Sequence, residues 1–191
     1  SSCYGIPKKY PTSESESIDP RYPYALTKRL GEELILHYSK IYDLKAISLR
    51  LFNVYGTKSR TSGTYGAMFG VFLKQKIESK PLTVVGTGKQ KRDFTYVSDI
   101  AEAFYKCLSY SGKFNIFNIG TGKPISVNKI VKLLNCKKIK IPKRPGEPDV
   151  THANINLSKK ELKWVATTSI EKGIGLILKN INYWKKAPLW T

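Results

Sequence analysis

The chain has 191 residues, 41% of them hydrophobic and 25% charged, which suits one globular domain with a core and excludes a disordered tail. No apolar run approaches the length of a membrane-spanning helix. The net charge of +19 makes polyanions partners to consider, but the lysines are scattered and no aromatic-interleaved basic patch occurs, which disfavours nucleic acid.

The chain opens on SSCYG, a hydroxyl-rich stretch that reads as the end of a strand turning into a loop. Residues 6–23, with four prolines and a Ser/Glu cluster, predict a loop. A helix is predicted from about Tyr24 to Tyr42, with Leu30, Leu34, Tyr38 and Ile41 on one stripe. KAISLRLF (45–52) reads as a buried strand, 53–64 as a polar loop and 67–79 as a helix. LTVVG (82–86) and FTYV (94–97) are extended, and Ser98 is the expected N-cap of a helix over 99–110. A strand at 114–120, a helix capped by Ser126 and a strand at 138–141 follow. Capping boxes are expected at Ser158–Glu161 and Thr168–Glu171, the second starting a helix to about Trp184. Alternating strands and helices predict an α/β fold with largely parallel strands. Cys3, Cys107 and Cys136 stand far apart without CxxC spacing, so free thiols in a reducing cytoplasm are expected. His37 and His152 have no metal-like surroundings.

Tyr24 and Lys28 are spaced i, i+4 and leave the same helical face. A phenol with its ordinary pKa near 10 is a poor base at neutral pH, and a neighbouring ammonium favours the phenolate. Such a pair takes a proton from an alcohol as hydride leaves. The spacing alone also fits a surface lysine beside a half-buried tyrosine.

The collinear set SSCYG, PYALTK, LRLFNVYG (49–56), LTVVGTGKQKRDFTYVSDIAEAF (82–104), FNIGTGKPISV (117–127), RPGEPDV (144–150) and LKW…TSIEKGI spans nearly the whole chain. It resembles the extended short-chain dehydrogenase/reductase superfamily, in particular its branch of UDP-glucose and UDP-N-acetylglucosamine 4-epimerases. The resemblance implies the C-terminal part of a Rossmann-like parallel sheet with a smaller α/β substrate-binding lobe. Residues 1–56 and 82–125 are expected in the core and its edge, and 57–81 and 126–191 in the lobe. It implies NAD as cofactor, touched by Tyr24, Lys28 and Leu51, with Tyr24 and Lys28 catalytic. It implies a UDP-sugar substrate contacted by Ser1, Ser2, Asn53, Arg92 and Arg144, whose guanidinium forks suit a diphosphate. It also implies a homodimer through the helix at 24–42 and a cytoplasmic enzyme without a membrane anchor.

In such enzymes a Ser or Thr five residues before the Gly of the Tyr-Gly pair bonds the reacting sugar hydroxyl, a position that would fall just before Ser1. The Gly-rich turn that cradles the NAD pyrophosphate is likewise expected upstream. GTGKQ (86–90) and GTGKP (120–124) lack GxGxxG spacing and read as turns. Dehydratases of the family carry Asp-Glu where Ser1 and Ser2 stand, and decarboxylases carry Glu at the place of Ser2. The resemblance therefore implies C4 oxidation and re-reduction rather than elimination. Another epimerase, a reductase or a dehydratase on the same scaffold is the alternative, and a non-catalytic basic binding module is the alternative of another class. Asn53 as a loop cap, and Arg92 and Arg144 as surface charges, are the plain readings of those residues. Asp99 reads as a helix-start residue.

Overall fold

A computed structural model describes residues 1–61, 68–143 and 147–186. Three of its four strand pairs are parallel. β1 (Ser48–Leu51) runs beside β6 (Ile116–Ile119), with Leu49 opposite Phe117 and Leu51 opposite Ile119. β2 (Val54–Tyr55) pairs with β5 (Thr95–Tyr96), and β3 (Leu82–Val85) with β8 (Lys138–Ile141). β4 (Lys91–Arg92) and β7 (Ile125–Ser126) form the antiparallel pair. Two-residue strands carry too little periodicity to be read from sequence, and β4 and β7 lay outside the expected elements.

α1 (Pro23–Tyr42) begins with Pro in its first turn, where a missing N–H costs nothing, and ends at Asp43 in the left-handed region. α2 (Met68–Ile77) and α4 (Val127–Leu134) pack around β3 and β5, with α6 (Ile170–Lys179), in one cluster with Tyr55, Phe72, Leu82, Phe94 and Trp184. A second cluster joins α3 (Val97–Leu108) to β6 through Ile100, Ala103, Phe117 and Trp164. A third holds Cys3, Tyr4, Phe52 and Ala153.

Helix starts differ from expectation for identifiable reasons. α3 begins at Val97, directly from the extended Tyr96, and no side chain caps it, so Ser98 lies inside the first turn. Ser158 is buried within α5 (Asn156–Glu161), where its hydroxyl donates to the Ile155 carbonyl instead of capping. Thr168 is held by Asp99, so the cap of α6 falls one residue later, on Ser169. α6 stops at Lys179, and a separate 3-10 turn covers Ile181–Lys186. Ser126 caps α4 as expected, accepting from the Lys129 amide.

Candidate functional site

Ser2–Tyr4 form a short 3-10 turn closed by Gly5 at φ 63. A Cβ at Gly5 would run into the Asp19 carbonyl, which explains the glycine after Tyr4. The Ser1 nitrogen donates to the Leu51 carbonyl at 2.8 Å, which sets the serine turn at the C-terminal end of β1. Ser1 and Ser2 are half-buried, while Cys3 and Tyr4 are buried. α1, which carries Tyr24 and Lys28, packs against this turn, and Lys28 is near enough to act on the Ser1 nitrogen. The Lys28 ammonium lies 5.2 Å from the Tyr24 ring centroid, and the Tyr24 side chain is 41% exposed. A phenol and an ammonium thus share one open face of α1, the helix that packs against the serine turn.

A second group lies past β1. Asn53 bridges strands: its carbonyl accepts from the Thr95 amide, and its side-chain oxygen accepts from Thr151 Oγ1 at 2.8 Å. Thr151 Oγ1 also accepts from the Asp93 amide, at 3.1 Å. Arg92 therefore stands next to this bridge. Its Nη1 donates to the Lys91 carbonyl at 3.0 Å, and its Nη2 lies 3.6 Å from Glu147. Burial pushes the Arg92 guanidinium below its ordinary value, opposed by Glu147 and Asp149. Tyr22, immediately before α1, and Tyr10 also lie near enough to act on it. Asn53 is engaged in holding strands together, and Arg92 is a shielded cation at a junction. The turn holding Ser1 and Ser2 meets Leu51 and packs on α1, while Asn53 and Arg92 lie at the Thr151 junction two residues further along the chain from Leu51. Arg144 lies outside the described residues.

Two carboxylates organise the surroundings, and sequence reasoning passed over one and underrated the other. Asp93, fully buried, accepts from the Thr121 amide and hydroxyl, the Gly122 amide and the Ala153 amide at 2.6–3.0 Å. The Thr121 and Gly122 amides of GTGKP are thereby engaged within the protein, and the Lys123 amide donates to Thr121 Oγ1, so these three do not cradle a phosphate. Asp99 does sit in the first turn of α3, but its carboxylate also accepts from the Thr168 amide at 2.9 Å and from the hydroxyls of Thr167 and Thr168. Its carbonyl takes the Trp164 indole N–H.

A third unpredicted feature is a buried polar relay. Glu32 of α1 meets Arg50 of β1 in a two-point contact, 2.7 and 2.9 Å, and Arg50 also donates to the Tyr4 hydroxyl at 2.8 Å. Tyr4 in turn donates to Asn118 of β6. The Glu at 32 within ALTKRLGEEL carried no signal apart from sitting one turn after Lys28.

Among the described residues no His/Cys/Asp/Glu group is arranged to hold a metal, and no helix is long and apolar enough to cross a membrane. The three cysteines are free. The open Tyr24/Lys28 face fits the ribose and nicotinamide end of a dinucleotide. The 191 residues contain no GxGxxG segment to serve the pyrophosphate end.

Residues 1–120 match the model of the NAD dependent epimerase/dehydratase family. UDP-glucuronate 4-epimerase 1 of Arabidopsis thaliana is 36% identical over 200 residues, a match covering 91% of this chain and 45% of the relative. A putative UDP-glucose 4-epimerase of Methanocaldococcus jannaschii is 33% identical over 188 residues, covering 96% of this chain and 59% of the relative. Among solved structures, UDP-glucuronic acid 4-epimerase from Bacillus cereus, in complex with UDP-glucuronic acid and NAD, superposes with a TM-score of 0.86 at 32% identity. That match covers 96% of this chain and 59% of the other. The chain thus spans between about half and three-fifths of the length of the relatives it matches.

Proposed function

This chain belongs to the NAD dependent epimerase/dehydratase family, and on that premise we propose that it supplies the reacting pair and the sugar-nucleotide contacts of a UDP-hexose 4-epimerase. The observation that carries this reading is the Tyr24/Lys28 pair on one open face, with the ammonium 5.2 Å from the ring and the serine turn alongside. Tyr24 takes the proton of the sugar C4 hydroxyl and returns it after the sugar has turned. Lys28 supplies the positive charge such a base needs and a donor for a ribose hydroxyl. Tyr24, Lys28 and Leu51 would hold the ribose and nicotinamide end of NAD, which would supply hydride-transfer chemistry at C4. Ser1 and Ser2 line the sugar side, Asn53 and Arg92 serve the diphosphate, and Arg144, outside the described residues, is a further diphosphate contact only by the family pattern.

Serines at positions 1 and 2, where a dehydratase of this family would carry Asp-Glu, favour epimerisation over elimination. A reductase or dehydratase on this scaffold is the second reading, since the family includes both. UDP-glucose, UDP-N-acetylglucosamine and UDP-glucuronate form the substrate panel, the last because similar proteins act on it. The test is Tyr24→Phe in the protein that carries this chain. Turnover is expected to fall about 10²–10⁴-fold, with UDP binding retained. Wild-type epimerisation by the Phe variant would refute the assignment. A wild-type protein that binds heparin and none of the three sugar nucleotides would instead favour a non-catalytic basic module.

Two further readings belong here. The free thiols fit a reducing compartment, and we place the enzyme in the cytoplasm. Recovery in the soluble fraction after lysis is expected, and recovery with membranes would count against it. The apolar outer face of α1 favours a homodimer.

A further inference from the structure

α1 carries the Tyr24/Lys28 pair, yet it is not anchored by an apolar stripe. Its buried residues are Ala25 and Glu32, while Leu26, Leu30 and Leu34 are each about half exposed. Glu32 lies one turn after Lys28 and points into the protein. Each of its oxygens accepts two hydrogen bonds. Oε1 takes Arg29 Nη1 at 2.6 Å and Arg50 Nη2 at 2.7 Å, and Oε2 takes Ser48 Oγ at 2.7 Å and Arg50 Nε at 2.9 Å. Four donors saturate the acceptor sites of a carboxylate. The remaining arm of Arg50 donates to the Tyr4 hydroxyl at 2.8 Å and to the Glu14 carbonyl at 2.9 Å. Tyr4 belongs to the turn that holds Ser1 and Ser2. One guanidinium therefore ties the helix bearing Tyr24 and Lys28 to the turn bearing the serines.

Apolar contact is non-directional and would let a helix roll or slide. A bidentate carboxylate–guanidinium contact fixes two distances and a plane. A buried ion pair is weak evidence for stability, because apolar residues of similar size often serve equally well. We infer that the Glu32–Arg50–Tyr4 relay is a positioning device that sets α1 against the serine turn and so aligns the Tyr24 phenol with the reacting hydroxyl. The inference rests on the reading of Tyr24 and Lys28 as the reacting pair. Glu32, Arg50 and Tyr4 are positioning residues and touch no substrate. A misplacement of about 1 Å at a reacting group costs about a hundredfold in rate, so a loosened tether is felt in turnover.

Two variants of the protein that carries this chain test the inference. Arg50→Lys keeps the charge and loses the fork. The double variant Glu32→Leu with Arg50→Met removes both charges and keeps the volume. For each, kcat is expected to fall at least about tenfold, with KM for the sugar nucleotide within about twofold because Asn53 and Arg92 are held by Thr95, Thr151 and Glu147, none of them a partner in the relay. The double variant is expected to melt no lower than the wild type, which separates positioning from stability. Wild-type kcat in either variant overturns the inference, and so does a KM that rises in step with the fall in kcat. Should the double variant fail to fold, Arg50→Lys alone decides. Hydrogen exchange of the α1 amides from Lys28 to Glu32, which lie past the unpaired first turn, is expected to speed up in both variants and tests the tether without turnover, and unchanged exchange there also overturns it. A wild type without epimerase activity would sink the functional reading while leaving the exchange result to judge the tether.

Discussion

Asp93 gathers donors from two distant segments of the chain, while its neighbour Arg92 is a shielded cation beside Glu147. Arg92 and Asp93 are adjacent in KRDF, and the resemblance drew attention to the arginine. The structure gives the aspartate the larger structural role, because its partners at 121, 122 and 153 are remote in the chain and no local pattern announces them. Asp93→Ala would leave the Thr121, Gly122 and Ala153 amides without their acceptor and would leave the Thr121 hydroxyl only its longer contact to the Lys123 carbonyl. A loss of about 3 kcal/mol or more is expected, read by chemical denaturation, and a change under about 1 kcal/mol would mean that water replaces the carboxylate freely. Arg92→Ala should behave differently. It removes a shielded cation facing the proposed diphosphate, so UDP affinity should weaken by about 1.5–3 kcal/mol, with little effect on folding. Calorimetry with UDP decides, and an unchanged dissociation constant would show the nucleotide binding elsewhere.

At the scale of elements, the strong periodic segments were legible and their junctions were not. α1, α2, α4 and the strands β1, β3, β6 and β8 fall where side-chain patterns put them. The starts of α3, α5 and α6 shifted because Ser158 turns inward to a backbone carbonyl, Thr168 serves Asp99, and α3 grows straight out of β5. Tyr24 and Lys28 were legible as a pair because their spacing is local. The Glu32–Arg50–Tyr4 relay was not, since it joins three elements. The relay also gives α1 a pH dependence. Burial alone would raise the Glu32 carboxyl, but the Arg50 and Ser48 hydrogen bonds and the charges of Arg50 and Arg29 outweigh it and hold the group below its usual range. A depressed carboxyl contributes stability that is present above its unfolded value of about 4.3 and is lost as pH falls through the folded value. At the other end, burial pushes the Tyr4 phenol up to about 12 despite the opposing Arg50 contact. That stability is present below about pH 10 and is lost as pH rises toward 12. Denaturation midpoints should therefore fall in acid below about pH 4 and in alkali above about pH 10. Tyr4→Phe should make the alkaline limb shallower without removing it, because burial pushes the Tyr55 phenol up as well. An alkaline limb unchanged in that variant would assign it to other groups.

At the scale of the molecule, what the sequence could not convey is which side of each apolar stripe faces another surface. The stripe on α1 points outward, as a helix expected to meet a second copy would present it, and what the sequence did not convey is that a carboxylate, Glu32, points in. Leu26, Leu30, Leu34, Tyr38 and Tyr42 recur every four residues and form one ridge, with each side chain roughly half exposed or more. The Tyr38 and Tyr42 rings lie 5.4 Å apart on it. A 20-residue helix is about 30 Å long. Soluble proteins seldom leave an apolar ridge of that length in water. A second copy is the occupant proposed above, and a stable interface needs about 800 Å² from each partner, which a ridge of this length can approach with its flanks. The net charge of +19 works against self-association, so the contact must be apolar and its salt response opposite to that of an ionic one. Light scattering on the protein that carries this chain is expected to give twice the monomer mass, with the dimer retained or strengthened at high salt. The pair Leu30→Glu and Leu34→Glu should place four like charges across the interface and give monomers with an unaltered helical signal. A wild-type protein that runs as a monomer at micromolar concentration, or a doubly substituted one that stays dimeric, would take α1 out of the interface.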